Sequence, residues 1–322
     1  DGRGSVVCLV VRHIVVLAVC ASLSLLGISG ATAYDLEQRV VEHRLANGMT
    51  FLLVKRSFAP TVAVNMRFKV GSVDEPVGQT GVAHMLEHML FKGTHTLGAI
   101  NYQREAPLLR RIDEAAAKLD AERRRGAAAN AESLRSLGAT LHRLQQDLKQ
   151  FIDKDTQLST LYERHGGVGF NASTGRDFTT YTVSLPANRL ELWARIEADR
   201  LANPVLRQFY SERDVVMEER RMRYESRPRG KLFETFLALA FQAHPYRNPT
   251  IGWPSDIAFF DRLSTERFYR SYYVPNNTVV AIVGDIDPPN LTPMLERYFA
   301  PIPAGDLPGR HSTREPKQTG ER

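Results

Sequence analysis

The sequence predicts an α+β fold carrying a long antiparallel helical hairpin, and three observations predict it. Stretches such as Thr61-Val-Ala-Val-Asn-Met-Arg-Phe-Lys-Val70 alternate with a two-residue period and read as strands. Between them lie segments with apolar positions three and four apart, the spacing of helices. Leu134, Leu137, Leu141, Leu144, Leu148 and Phe151 keep a strict 3,4 rhythm, which is the a/d pattern of paired helices.

The first 33 residues read as a secretory leader. Arg12 supplies a positive flank, Ile14 to Ile28 is an almost unbroken apolar run, and Ala31-Thr-Ala33 is a small-x-small cleavage pattern, so cleavage is expected before Tyr34. The run is short for a membrane span, so no stable span is expected after cleavage; an uncleaved anchor is the alternative. Asp1 stands where Met would be expected, which reads as an incomplete N-terminus. Both cysteines, Cys8 and Cys20, fall inside the leader, so a mature chain would have no disulfide, thiolate metal site or cysteine nucleophile. Export without thiols points to a bacterial periplasmic or secreted protein.

From there the chain has a globular composition, 43% hydrophobic and 24% charged, and its 322 residues suffice for one large or two ordinary domains. The net charge of +6 gathers partly in Arg123-Arg-Arg125 and Glu219-Arg-Arg-Met-Arg223. Neither run interleaves with aromatics, so nucleic acid is not an expected partner.

Val41 to Leu45 and Met49 to Val54 flank Asn47-Gly48 and read as a hairpin closed by a type I′ turn, and Thr61 to Val70 is a further strand. Pro107 to about Arg125, and then Leu134 to Phe151, fold back as the helical hairpin, an insertion over about 103–159. Gly166-Gly-Val-Gly-Phe-Asn171-Ala-Ser-Thr174 and Phe178 to Leu185 read as two short strands, the first an accessible edge where an extended peptide could add. Asn188 is expected to cap a helix through Leu201, and helices follow over Ser211 to Tyr224, Lys231 to Gln242, Ser264 to Tyr272 and Asn290 to Phe299. Asn277 to Gly284 reads as a buried strand.

One stretch carries chemistry: His84-Met-Leu-Glu87-His88. On a helix, residues three and four apart share a face, so two imidazoles can grip one Zn2+ with a carboxylate beside the open coordination position. This is the inverse of the commoner H-E-x-x-H order. The surrounding helix is apolar nearly all round, and burial makes unpaired His and Glu costly unless a metal resolves it. Farther on, Glu212 and Glu219 are seven apart and share a face, so both could point at that metal.

Taken together, Leu45-Ala-Asn-Gly-Met49, His84 to Thr94, Asn171-Ala-Ser-Thr174, Glu212 to Glu219 and Tyr273 to Asp285 resemble, in order, the inverted-motif zinc peptidases of the pitrilysin, insulysin and mitochondrial processing peptidase family. The resemblance implies a metallopeptidase roll: a mixed, largely antiparallel sheet with helices on one side. It implies His84, His88 and Glu219 as zinc ligands, Glu87 as general base for a zinc-activated water, Glu212 as auxiliary acid, and Asn171 and Ala172 as positions holding substrate backbone. It also implies a zinc-bearing domain over 34–303, with 304–322 as a linker toward a second, homologous domain or subunit needed for full activity. The substrate would be a peptide or unfolded polypeptide. The interval from His88 to Glu219 exceeds the family's usual one, and the hairpin accounts for the excess. The alternative is a non-catalytic peptide-binding or assembly subunit on the same fold.

Overall fold

The computed structural model describes residues 36–309 and 313–321, so the leader, its cysteines and its cleavage site lie outside the described residues. The described residues from Val41 onward form one compact unit. Its sheet contains β1 (Val41–Arg44), β2 (Thr50–Lys55), β3 (Thr61–Phe68), β4 (Val168–Thr174), β5 (Thr179–Pro186) and β6 (Thr278–Gly284) in the order β1-β2-β6-β3-β5-β4. Only the β2–β6 pairing is parallel, and the other pairings are antiparallel.

The two-residue period predicts which face is buried. Val62, Val64, Met66 and Phe68 are buried along β3, and register sets Val64 beside Val183 and Ile282, and Met66 beside Tyr181 and Val280. Strand β6 is alternating rather than buried throughout, because only one sheet face is covered. Helices α5 (Leu190–Ala202) and α10 (Pro288–Phe299) help cover it, with the Phe299 ring 5.5 Å from Phe51 and 5.6 Å from Trp193.

The β1–β2 turn differs from the expected type I′ turn. Leu45 N–H bonds to Met49 O at 2.9 Å and Gly48 N–H to Leu45 O at 2.9 Å, enclosing three residues, and only Gly48 takes positive φ, at 84°. This suits a type I turn followed by a left-handed glycine. Asn47 is retained for another reason: its Nδ2 donates to the carbonyls of Phe299 and Ile302, both at 2.8 Å, tying the turn to the end of α10. A Cβ on Gly48 would lie 2.8 Å from Asn276 Cβ, so the glycine is required twice over.

The hairpin consists of α2 (Tyr102–Arg124) and α3 (Ala131–Leu148). Asn101 caps α2 by accepting Arg104 N–H at 3.0 Å, so the helix begins before Pro107 and tolerates it early in its length. Leu141, Leu144 and Leu148 are buried with Leu108, Leu109, Ile112, Ala116 and Leu119 in one core. The hairpin is also pinned to the body by two buried ion pairs, Arg207 to Glu105 at 2.8 Å and Arg213 to Asp120 at 2.7 Å.

Further on, α4 (Leu158–Arg164), absent from the sequence reading, precedes β4 and sends Tyr162 Oη to Glu197 at 2.6 Å. Asn188 does not cap α5: residues 187–189 form a 3-10 turn and Arg189 occupies the cap position without a side-chain bond. Helix α6 (Phe209–Arg220) ends in a π-helical turn over Arg221–Glu225, marked by Ser226 N–H bonding to Arg221 O at 2.9 Å. Then come α7 (Pro228–Ala240), the short α8 (Pro254–Ile257) and α9 (Arg262–Tyr272). Asp261, not Ser264, caps α9 by accepting Ser264 N–H at 2.8 Å.

Candidate metal centre

Helix α1 (Val82–Met89) carries the inverted motif and is oriented from its first turn. Gly81 precedes it at φ 94° and offers no side-chain cap. The carboxylate of Glu75 takes that role, accepting Gly81 N–H at 2.8 Å and Ala83 N–H at 2.9 Å. Beside it, Asp256 accepts the amide and hydroxyl of Thr80 at 3.0 and 2.7 Å. A Cβ at Gly81 would sit 2.3 Å from Ile251 O, so only glycine lets this corner pack.

Helix α6 packs against α1 and brings an acidic side chain to each side of His88. His88 Nδ1 is 2.9 Å from Glu212 Oε1, and His88 Nε2 is 3.2 Å from Glu219 Oε2. His84 Nε2 is 3.7 Å from the same Glu219 oxygen. One donor atom from each of His84, His88 and Glu219 lies within 4.8 Å of the others. A tetrahedral zinc with ligands near 2.1 Å spaces its donors by about 3.4 Å, so the set fits that ion with small adjustments. Two imidazoles and one carboxylate also leave a fourth position open, the donor pattern of catalytic zinc sites. Neighbouring Glu218 is exposed and pairs with Arg221 at 2.6 Å instead.

Around this set lie residues that spacing alone does not single out. Lys92 Nζ reaches Glu212 Oε2 at 2.6 Å, so Glu212 bridges a lysine and an imidazole. Arg223 Nε, on the π-helical turn, lies 3.1 Å from Glu219 Oε1. Thr174 Oγ1 donates to Glu87 Oε2 at 2.5 Å. Strand β4, which carries Thr174, is the edge of the sheet and pairs only with β5 among the described strands. Asn171 is exposed on it and Ala172 half-buried. Both are three residues or fewer from Thr174, the strand's contact with the motif helix.

Electrostatics separate the two imidazoles. Burial, aided by the neighbouring His88 cation, lowers His84 to about 4, so it is neutral at ordinary pH. Burial also opposes charge on His88, but its bonds to Glu212 and Glu219 outweigh that and raise it to about 9. Burial raises Glu87 above the usual carboxylate range against the opposing Thr174 bond, as suits a group that must accept a proton. The bond from His88 holds Glu219 low despite burial. Burial raises Glu212 too, but its bonds to His88 and Lys92 prevail and hold it low.

A layered α+β chain with a His-His-Glu donor set and an adjacent carboxylate belongs, on its geometry, to the class of zinc-peptidase-like proteins. The family model described as Insulinase (Peptidase family M16) matches residues 50–123 and 152–253, and the chain is a member of that family. The unmatched stretch between falls within the hairpin. A second model, Peptidase M16 inactive domain, matches residues 260–322. That boundary is not a structural one, since β6 lies between β2 and β3 in the single sheet.

The chain is 27% identical to the zinc protease PqqE of Helicobacter pylori over 284 residues, covering 86% of this chain and 51% of that protein. It is 24% identical to the probable zinc protease PqqL of Escherichia coli over 295 residues, 89% of this chain and 26% of that one. Among solved structures, a protease from Helicobacter pylori superposes with a TM-score of 0.66 at 26% identity, over 87% of this chain and 55% of that chain. The first half of the periplasmic protease PqqL from Escherichia coli shares the fold, with a TM-score of 0.59 at 20% identity over 85% and 48%. The chain thus spans about half the length of the first relatives it matches.

Proposed function

We propose that this chain is the zinc-bearing half of a metalloendopeptidase. The observation that carries the reading is the convergence of His84, His88 and Glu219 from two helices, with Glu87 on the same helical face and held by Thr174. His84, His88 and Glu219 hold the zinc, and Glu212 orients His88 through Nδ1, as carboxylates behind metal-bound histidines do. When bound, zinc polarises the scissile carbonyl and brings the pKa of an attacking water to about 7.

Glu87 takes the proton from that water and returns it to the leaving amine, a shuttle that a half-buried carboxylate with raised pKa serves well. The substrate is an extended peptide or unfolded polypeptide that adds to the free edge of β4, with main-chain bonds at Asn171 and Ala172. The segment over 34–303 is the zinc domain, α2 and α3 form an insertion in it, and 304–322 leads to a second homologous domain or subunit that completes the substrate chamber. The leader over 1–33 directs the protein to the periplasm or medium, and no helix among the described residues is long and apolar enough to cross a membrane.

The test is direct. The full chain is purified with and without a partner half, its zinc is measured by elemental analysis, and peptide cleavage is assayed beside Glu87→Gln. Stoichiometric zinc in both proteins, with cleavage lost in the variant by about 10²-fold or more, is expected. Zinc absent from the unsubstituted chain would overturn the reading.

A further inference from the structure

Helix α7 presents an apolar stripe that nothing among the described residues covers. Leu232, Phe233, Phe236 and Leu239 are 70%, 51%, 59% and 58% exposed, and no residue of this helix is buried. Their spacing puts them on one face. Grouped exposure on this scale marks a contact surface rather than ordinary scatter.

The stripe is joined to the metal centre by the backbone. A Cβ on Gly230 would lie 2.1 Å from Arg223 O and 2.9 Å from Tyr224 Cα, so the first turn of α7 sits directly on the π-helical turn that follows Glu219. Between them opens a cavity of about 710 Å³ lined by Arg223, Arg227, Arg229, Leu232, Phe233 and Phe236. Arg223 borders both places, since its Nε reaches Glu219 Oε1 at 3.1 Å. The guanidinium groups of Arg227 and Arg229 have no ion-pair partner among the described residues. An apolar floor with two unpaired cations at its rim, opening beside a metal ligand, is complementary to one kind of occupant.

We propose that this cavity is a specificity subsite: it takes a large apolar side chain of the substrate polypeptide, close to the scissile bond, with Asp or Glu beside it to meet Arg227 and Arg229. The assignment rests on the peptidase reading and adds the substrate class, acidic and apolar rather than basic. Arg227 and Arg229 discriminate by charge, whereas Phe233 and Phe236 supply contact area.

The experiment measures binding to the zinc-loaded full chain carrying Glu87→Gln, by fluorescence anisotropy of short labelled peptides. Each peptide holds a Leu-Phe pair, flanked in one by Asp and Glu and in the other by Lys. The acidic peptide is expected to bind about tenfold tighter or more. Arg227→Glu with Arg229→Glu reverses that preference, and Phe233→Ser with Phe236→Ser weakens both peptides by about tenfold. All four positions lie on the surface of the cavity, and an unchanged thermal midpoint verifies folding. Zinc content of the unsubstituted chain, and its peptide cleavage in the presence of the partner half, report separately on the peptidase reading, so peptide discrimination by a chain that takes up no zinc would retain the peptide-binding groove and reject the enzyme. Equal affinity for the two peptides overturns the subsite. So does a Phe233→Ser, Phe236→Ser chain whose sedimentation changes while its peptide affinity stands, which would make the stripe a contact between copies.

Discussion

Thr174 donates its hydroxyl to Glu87 across 2.5 Å, joining the sheet's edge strand to the carboxylate of the motif helix. The strand proposed to receive substrate therefore also fixes the group proposed to move its proton. Thr174→Val keeps the shape and β-branching but removes the donor. We expect kcat to fall by about tenfold or more with KM nearly unchanged, because the carboxylate loses its orientation while the edge strand remains. Thr174→Ser restores the donor and should recover most of kcat. A loss confined to KM would assign Thr174 to substrate binding instead.

Glu219 and Glu218 are adjacent acids with different environments, and zinc affinity should separate them. Glu219 shares one oxygen between both imidazoles, whereas Glu218 faces solvent and pairs with Arg221. Glu219→Gln is expected to weaken zinc binding by about 10²-fold or more, and Glu218→Gln to leave it unchanged. Competition with a chromophoric chelator measures both. Equal affinities for the two variants would move the third ligand elsewhere.

The contrast shows what could be read from sequence. His84, Glu87 and His88 were legible because helical periodicity alone brings them onto one face, and the strands because their alternation is set by burial on one side of the sheet. Glu219 lies far along the chain from His88, and spacing alone left it level with Glu212; the family resemblance separated the two, and the packing of α6 on α1 sets Glu219 against both imidazoles and Glu212 against His88 Nδ1 and Lys92. Local chemistry misleads where tertiary contacts outweigh it. Asn47-Gly48 has the composition of a tight two-residue turn, but the Asn47 amide is committed to α10, and the loop takes a three-residue form. Asn188 is a strong capping residue by type, yet a 3-10 turn carries it out of the cap position. Lys92 and Thr174 were out of reach because each acts through one side-chain bond to a distant segment, and Glu75 because it caps α1 from outside the helix through two amides, none of which periodicity encodes.

Metal uptake should release a proton. In the metal-free protein His88 has its pKa raised to about 9, so its charged form adds stability that is fully present below its ordinary pKa and lost as pH rises through about 9. Zinc needs the neutral imidazole and therefore competes with that proton throughout this range. His84, lowered to about 4, is already neutral and contributes none. Calorimetry of zinc binding at pH 7.5, in buffers of different ionisation enthalpy, should find about one proton released, with affinity rising as pH rises toward 9. Zero protons released would mean that His88 is neutral before the metal arrives.

Arg207 holds the segment after the motif helix to the hairpin, and its loss should be felt as stability. Its Nε and Nη2 reach Glu105 at 2.8 and 3.1 Å, and its other bonds go to the carbonyls of Lys92, Thr94 and Leu97. Both side chains are buried. Arg207→Met leaves Glu105 as an uncompensated buried carboxylate, and breaking one partner of such a pair costs about 3–5 kcal/mol. Adding Glu105→Leu removes the stranded charge and should recover part of that loss, although the carbonyls of Lys92 and Thr94 lose their Arg207 donors, while that of Leu97 keeps the Thr94 amide. Urea unfolding of the two variants measures both quantities. If Arg207→Met unfolds at the same urea concentration as the parent, the pair does not anchor the hairpin, and the position of α2 must be held by its apolar face and the Arg213–Asp120 pair.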